Sequence, residues 1–180
     1  IDEAGRGPLA GPVYAAAVVL RPGQVIEGVN DSKKLSEKKR EALFDTICSQ
    51  CAAYGIGSAT EKEIDEINIL NATYLAMQRA VAALPVQPDC ALVDGNRAPD
   101  LPLEVRTIIK GDAQSASIAA ASILAKVSRD RYMLEMAEQY PQYAFEKHKG
   151  YGTKLHYERL EQYGISPIHR LSFLKKWMNR

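Results

Sequence analysis

The sequence predicts an α/β domain with a helical extension at its C-terminal end. Short apolar runs of strand length alternate with longer segments of helical periodicity, and only helical patterns follow Pro141. Strands that alternate with helices are typical of a sheet covered by helices. At 180 residues the chain is long enough to bury a core of its own.

The N-terminal part contains three predicted strands and a helix. The opening IDEA reads as a strand, and VYAAAVVL (residues 13–20) is an apolar run with the length of a buried strand. From Ser36 onward the apolar residues recur on one helical face while EKKRE faces water. The segment AAYGIGSA predicts a further short strand.

The middle of the chain predicts a second helix and two more strands. Thr60 and Glu63 form a TxxE capping box, which opens a helical region whose main run covers about residues 68–84. CALVDG (residues 90–95) and EVRTIIKGD (residues 104–112) are short apolar runs that end in glycine and an acid. Each is predicted to be a strand with an aspartate at its C-terminal end.

Helices dominate the remainder. Residues 115–140 are rich in alanine and predict a long helix stopped by Pro141. A loop, HKGYGT, precedes a helix that begins at Thr153 and closes at Gly164, and a last helical stretch follows Pro167.

Composition indicates an ordinary soluble globular protein, with 46% hydrophobic and 25% charged residues. The net charge of +1 is no argument for a nucleic-acid partner, so such a partner must be inferred from local patches. The three cysteines lie in apolar segments, which favours a reducing cytoplasmic location, and the CxxC pair Cys48 and Cys51 is interpreted as buried small residues rather than a zinc or redox site. No apolar run approaches the roughly 20 residues of a membrane span.

Four acids occupy strand or strand-end positions: Asp2, Glu3, Asp94 and Asp112. For Asp94 and Asp112 the alternative is that they are simple turn residues. If the first, fourth and fifth strands are neighbours, however, the carboxylates meet at one edge of the sheet and repel one another. A hard divalent cation relieves that repulsion, and oxygen ligands suit Mg²⁺ or Mn²⁺.

Basic and aromatic residues near these acids are candidates for contact with phosphate or sugar. Any one of them can equally belong to the solvated surface, but beside an acidic metal centre the set suggests a phosphodiester substrate. The glycines on both sides of Arg6 let the backbone approach a ligand closely. The candidates are Lys33, Lys34, Lys110, Lys126, His148, Lys149 and Tyr151.

Eight motifs spread along the chain occur in the order found in bacterial ribonuclease HII, the type 2 ribonuclease H, and the sequence resembles that family over essentially its whole length. They are DEAGRG (2–7), NDSKKLS (30–36), EIDEINIL (63–70), AMQRA (76–80), VDGN (93–96), KGD (110–112), AASILAKVSRD (120–130) and HKGYGT (148–153).

The resemblance implies a ribonuclease H-like fold, with a five-stranded mixed sheet flanked by helices. Residues 1–140 would form the catalytic domain, and residues 141–180 a helical region that completes the substrate-binding cleft. The four acids would be the catalytic and metal-binding residues. Gly5, Arg6 and Gly7 would read the ribose 2′-hydroxyl, and Tyr151 would stack on the sugar beyond the RNA–DNA junction. The further substrate contacts would be Lys33, Lys34, Asn96, Lys126, His148 and Lys149.

The activity implied by the resemblance is hydrolysis of the RNA strand of RNA–DNA hybrids and cleavage 5′ of single ribonucleotides in duplex DNA. A two-metal-ion mechanism with Mg²⁺ or Mn²⁺ would leave 3′-hydroxyl and 5′-phosphate ends. We expect a monomer with no membrane contact, and a sliding-clamp contact, if there is one, outside this segment.

One departure is Leu171, which stands where the family has a second consecutive arginine and so removes one expected phosphate contact. The acids alone also allow another nuclease of the same superfold, such as a junction resolvase or an integrase-like protein. A further alternative is an inactive nucleic-acid-binding module, although binding alone does not require four carboxylates facing a polyanion.

Overall fold

Five strands and six α-helices account for most of the described part of the chain. The computed structural model describes residues 1–30 and 32–180, with the backbone alone at Lys33. The strands are β1 (Asp2–Ala4), β2 (Val13–Val19), β3 (Ala53–Ala59), β4 (Cys90–Asp94) and β5 (Glu104–Ile108). The helices are α1 (Glu37–Gln50), α2 (Glu61–Ala82), α3 (Ala116–Gln139), α4 (Phe145–His148), α5 (Lys154–Tyr163) and α6 (Leu171–Met178).

The strands form a mixed sheet, as predicted. β2 lies between β1 and β3 and runs antiparallel to both, while β4 and β5 are parallel. Ile1 joins the two groups, because its N–H donates to Leu92 O at 2.7 Å and its carbonyl accepts from Asp94 N at 3.0 Å. That pairing is the one parallel strands make. The ends of β1 and β4, which carry three of the four acids, are therefore neighbours.

Helices cover both faces of the sheet, and β2 contributes to both cores. Val13, Ala15 and Ala17 pack in a cluster with α2, whereas Ala16 and Val18 pack with α1 and α3 on the opposite face. Side chains of a strand alternate between faces, so the continuous apolar run VYAAAVV is explained by burial on both sides.

Glycines in β3 allow α2 to approach the sheet closely. A Cβ atom at Gly57 would lie 2.5 Å from Ala80 N and 2.7 Å from Arg79 Cβ, and one at Gly55 would lie 3.1 Å from Leu84 N. The facing side chains of α2 are small, since Ala76 and Ala80 are fully buried there. Small residues on both partners thus set the distance between this helix and the sheet.

The beginning of α2 is fixed by the predicted capping box. Thr60 Oγ1 accepts from Glu63 N at 3.3 Å, and the Glu63 carboxylate accepts from Thr60 N at 2.8 Å. The helix is interrupted at Asn68, whose φ is 66° and whose Oδ1 accepts from Leu70 N and Asn71 N. The predicted start of the main run at about residue 68 coincides with this internal recapping.

The C-terminal segment packs on the end of α3 through its own apolar cluster. Met133 and Met136 of α3 contact a group formed by Leu9, Ala10, Tyr143, Phe145, Leu160, Ile168 and Leu174. Asp65 of α2 caps α6 from outside, because its carboxylate accepts from Leu171 N at 2.8 Å and Ser172 N at 2.9 Å. None of the helices in the described residues has both the length and the apolar character to cross a membrane.

We expect Gly57→Ala to lower the free energy of unfolding by about 2 kcal/mol or more, because the added methyl group forces the α2 backbone away from β3. Ser58→Ala, on the next residue of the same strand, is the control and should change stability by less than about 0.5 kcal/mol. Urea denaturation measures both. Equal stability of the two variants would show that α2 and β3 separate without cost.

Candidate active site

The strand ends bring three acids to one cavity. Asp2 and Glu3 of β1 and Asp94 of β4 line a cavity of about 270 Å³ together with Ser122 of α3. Asp2 is 6% exposed; its Oδ1 accepts from Glu3 N at 2.7 Å, and its carboxylate also bonds the Ser122 side chain. The acids are therefore held by rigid elements rather than by flexible loops.

The charges in this cavity oppose one another. Burial raises the pKa of Asp2, and the neighbouring carboxylates of Glu3 and Asp94 raise it further. Burial also raises the pKa of Glu3, against the opposing effect of Arg6, whose Nη1 lies 3.5 Å from Glu3 Oε1. Carboxylates that repel one another in a partly buried site favour binding of a cation. Their oxygen donors match a hard divalent ion.

Asp94 and Asp112 are linked through a turn. Asp94 Oδ1 accepts from Gly111 N at 2.6 Å, which ties the end of β4 to the short helical turn that carries Asp112. The prediction that Asp112 ends a strand is wrong, because β5 ends at Ile108 and Asp112 lies in the short helical turn that follows. Asp112 is buried and lines a cleft with Asn30 and Gln114 rather than the cavity of the other three acids.

Across residues 1–30 and 32–180, no group of three or more His, Cys, Asp or Glu side chains could hold a metal ion as it stands. Mg²⁺ at phosphate-processing sites is bound by one or two carboxylates together with substrate phosphates, rather than by a closed protein cage. The open arrangement of these acids suits that kind of site.

The loop after β1 borders the same cavity and is held by two buried arginines. Arg170 donates from Nη2 to Gly5 O at 2.6 Å, from Nη1 to Arg6 O at 3.0 Å and from Nε to Gly11 O at 2.8 Å. Gly5 has a φ of +93°, and a Cβ atom there would collide with the Arg129 side chain. Glycine is thus required at this position for both conformation and space.

Arg129 extends the same support to the neighbouring loops. It donates to Pro12 O at 3.1 Å, Ala10 O at 3.0 Å and Lys149 O at 2.9 Å. The sequence reasoning missed the structural role of both arginines. For Arg129 a signal existed, because it occupies the buried stripe of α3 between Ala125 and Met133, where a charged residue is unusual.

Tyr151 lies at the edge of the cavity, beside Gly7. A Cβ atom at Gly7 would be 3.7 Å from the Tyr151 ring, and the ring centroid is 5.7 Å from Arg129 Cζ. Lys149 and Gly150 before it both adopt left-handed backbone conformations, with φ of 49° and 87°. Gly150 O accepts from Leu9 N at 2.8 Å. The loop between α4 and α5 (residues 149–153), here called the tyrosine loop, is thus bonded to the loop that follows β1. Tyr151 is 41% exposed and so accessible to a ligand.

Comparison with known proteins agrees with this arrangement. The sequence profile described as "Ribonuclease HII" matches residues 1–176. The chain belongs to the ribonuclease HII family. It is therefore a metal-dependent ribonuclease H, which acts on RNA–DNA hybrids. This membership decides between the nuclease alternatives that the acids alone left open.

Three individual proteins illustrate the similarity. A ribonuclease HII of Caldicellulosiruptor bescii is 61% identical over 97% of this chain and 85% of its own length. The structure of ribonuclease H2 from Pyrococcus horikoshii OT3 superposes with a TM-score of 0.78 at 31% identity, covering 95% of this chain and 90% of that one. RNase HII of Archaeoglobus fulgidus, solved in a complex with PCNA, gives a TM-score of 0.75 at 26% identity over 97% and 92% of the two chains.

The predicted basic contacts differ in their surroundings. Lys126 lines the 270 Å³ cavity, and its Nζ is 2.7 Å from Asp130 Oδ1. Lys34 is exposed, while the Lys33 side chain lies outside the described residues. Lys149 Nζ donates to Glu146 O at 2.7 Å, so this amine already has a protein partner. Asn96 lines a second cavity of about 350 Å³, which shares Glu3, Arg6 and Asp94 with the first.

His148 does not fit the predicted role as a substrate contact. Its side chain is buried, its Nε2 faces Tyr143 O at 3.0 Å, and its Nδ1 accepts from Gly150 N at 3.2 Å. Both ring nitrogens are therefore occupied by the backbone of its own loop. Leu171, where the resemblance predicts a second arginine, is half-exposed.

We expect Arg170→Met to lower the free energy of unfolding by about 3 kcal/mol or more, because it leaves the carbonyls of Gly5, Arg6 and Gly11 without their donor. Arg106→Met, which removes an exposed ion pair with Glu104, should cost far less, because solvent screens such a pair. Chemical denaturation of the two variants tests this difference. A small effect at Arg170 would mean that water replaces its hydrogen bonds.

Proposed function

We propose that the enzyme cuts the phosphodiester bond on the 5′ side of a ribonucleotide, including a single ribonucleotide within duplex DNA, and leaves 3′-hydroxyl and 5′-phosphate ends. One observation carries this proposal. Three of the four acids (Asp2, Glu3 and Asp94), the Gly5–Gly7 segment and Tyr151 line one cavity, whereas Asp112 lines a separate cleft. The residues proposed for catalysis, ribose recognition and sugar stacking can therefore contact one nucleotide and its neighbour at the same time.

Ribose recognition is assigned to the backbone of Gly5–Gly7. The 2′-hydroxyl is both donor and acceptor, so backbone groups held at one position can distinguish ribose from deoxyribose without reading the base. Rigidity is the requirement, and the three hydrogen bonds from Arg170 to this region supply it. Because no base edge is involved, cleavage should depend little on sequence.

The four acids Asp2, Glu3, Asp94 and Asp112 are proposed to hold two divalent cations, Mg²⁺ or Mn²⁺. When bound, such ions stabilise the negative charge that develops on the scissile phosphate and the leaving oxygen. Asp2 contributes a buried carboxylate and Glu3 a partly buried one, and Glu3 and Asp94 both raise the pKa of Asp2 by repulsion, which favours cation binding. Asp94 accepts from Gly111 N and so couples its own position to the turn that carries Asp112.

Substrate positioning is assigned to residues around the cavity. Lys34, Asn96, Lys126 and Lys149 are proposed to contact phosphates or sugars, since phosphate contacts supply most of the sequence-independent affinity. Residues 141–180 would complete the cleft, because they provide Tyr151 and the arginine that holds the loop after β1.

We also propose a partner and a cellular location. A sliding clamp is a candidate partner, by analogy with the complex of PCNA and RNase HII from Archaeoglobus fulgidus. A reducing cytoplasm suits the three cysteines, which are free in the described residues. Burial raises the pKa of the Cys48 and Cys51 thiols, which argues against a redox role for the pair.

We expect Asp94→Asn to lower turnover by at least about a hundredfold, on the scale of losing one strong electrostatic contact to the transition state. Hybrid binding should be unchanged or tighter, because a negative charge facing phosphate is removed. Asp100→Asn, an exposed aspartate in the loop after β4, is the control. The assay is steady-state cleavage of a labelled hybrid with Mg²⁺ and with EDTA. Near-normal turnover of Asp94→Asn in Mg²⁺ would remove this residue from the site.

We expect Tyr151→Ala to lose at least about fivefold more activity on a single embedded ribonucleotide than on a continuous hybrid, since a stacked ring contributes about 1–3 kcal/mol. Tyr151→Phe keeps the ring and should lose little on either substrate, and an all-DNA duplex should not be cut. Tyr54→Ala removes a similarly exposed ring on β3 and serves as control. Equal losses on both substrates would assign Tyr151 to general binding or to folding.

A further inference from the structure

The three histidines of the chain, which the proposed chemistry does not use, form one buried cluster beneath the tyrosine loop. His148, His156 and His169 are 7%, 0% and 3% exposed. The rings of His148 and His156 stack at 4.3 Å between centroids, and His156 Nε2 lies 2.9 Å from His169 Nε2. They come from α4, from α5 and from the segment before α6, so the cluster joins three parts of the C-terminal region.

The hydrogen-bond partners determine which nitrogen of each ring carries the proton. His156 Nδ1 faces the Tyr151 carbonyl at 2.9 Å and must donate to it. His169 Nδ1 accepts from Ser166 N at 2.9 Å, so His169 must be protonated at Nε2 and donate from there to His156 Nε2. Backbone groups at both ends thus impose a single direction of hydrogen bonding, from Ser166 through His169 and His156 to Tyr151 O.

The same geometry requires neutral rings. A charged imidazole has no acceptor nitrogen. Protonation of His156 would place its Nε2–H against the Nε2–H of His169. Protonation of His169 would place its Nδ1–H against the N–H of Ser166. Burial, with a smaller contribution from the neighbouring histidines, lowers the pKa of His156 to about 4 and that of His169 to about 3. At neutral pH the chain of hydrogen bonds is therefore intact.

The chain of hydrogen bonds ends at the backbone carbonyl of Tyr151, the residue that lines the 270 Å³ cavity. Tyr151 O also accepts from Thr153 N at 2.8 Å, and Tyr151 N donates to His148 O at 2.9 Å. The peptide groups on both sides of the ring are thus fixed, while the ring itself stays exposed. His169 is followed directly by Arg170, which holds Gly5, Arg6 and Gly11. The adjacent residues His169 and Arg170 therefore connect the hydrogen bonds beneath Tyr151 to those that hold the loop after β1.

We propose that His156 is a positioning residue for substrate selection: by donating from Nδ1 to the Tyr151 carbonyl, it holds the ring where it distinguishes a single ribonucleotide in DNA from a continuous hybrid. His169 acts through His156, because it fixes the tautomer that makes this donation available. This inference rests on the proposed junction-reading role of Tyr151.

Two substitutions at His156 distinguish the hydrogen bond of its Nδ1 from that of its Nε2. The amide of His156→Asn lies near the position of Nδ1 and can still donate to Tyr151 O, whereas that of His156→Gln lies near Nε2 and can bond only His169. The readout is the ratio of kcat/KM on duplex DNA with one ribonucleotide to kcat/KM on a continuous hybrid. A partly folded preparation lowers both values equally, so the ratio reports positioning rather than stability.

We expect His156→Gln to lower this ratio by about tenfold, within the range for loss of one stacked ring. His156→Asn should keep the ratio within about twofold to threefold of the parent value, below the loss expected for a stacked ring. An unchanged ratio in His156→Gln, while Tyr151→Ala lowers it, would overturn the positioning role and leave the function of Tyr151 intact. If Tyr151→Ala also leaves the ratio unchanged, the junction-reading proposal fails, and this inference fails with it.

A spectroscopic measurement tests the hydrogen-bond direction without any assay. Long-range ¹H–¹⁵N correlation spectra at neutral pH should show His156 protonated at Nδ1, and His148 and His169 protonated at Nε2. With three histidines in the chain, single substitutions assign every signal. Detection of His156 as the Nε2–H tautomer would overturn the proposal whatever the kinetics of the variants, including a case in which they fail to fold.

Discussion

The burial of two guanidinium groups beneath the loop after β1 is the interaction on which the rest of the site depends. Arg129 and Arg170 each donate three hydrogen bonds to backbone carbonyls. Those carbonyls belong to the loop after β1 and to Lys149 beside the tyrosine. A planar group with several donors in fixed directions suits this task better than a lysine amine. The same two side chains thus support both the segment proposed to recognise ribose and the loop that carries Tyr151.

The placement of charge is the second constraint. Burial lowers the pKa of Arg170 to about 9, and its proximity to Arg129 contributes, yet the group remains charged at neutral pH. Glu61, at the start of α2, is a buried carboxylate close enough to raise the pKa of Arg170. The positive charges of Arg129 and Arg170 therefore lie on the buried side of the loop after β1, and carboxylates line the cavity on its exposed side. The two buried arginines bond backbone carbonyls rather than the acids of the cavity, where the partly exposed Arg6 lies 3.5 Å from Glu3.

Close packing of the sheet and helices makes the strand ends meet. The glycines of β3 and the alanines of α2 bring helix and strand together on one face, and Ala120, Ala121 and Ala125 of α3 do so on the other. With both helices close to the sheet, Ser122 of α3 reaches the Asp2 carboxylate. The acids are consequently positioned by backbone elements whose relative spacing is difficult to change.

Local sequence determined much of this protein. The apolar runs and the TxxE cap at Thr60 predicted the elements, because these signals arise from periodicity and backbone chemistry within a few residues. The meeting of the four acids was predicted only on the condition that their strands are neighbours, and the structure brings three of them, Asp2, Glu3 and Asp94, to one cavity. Only the tertiary structure decided that His148 is buried and that Arg170 holds Gly5, 165 positions away in the chain. A histidine or arginine has the same local pattern at the surface and in the interior. Its role depends on which distant carbonyls surround it, and packing alone decides that.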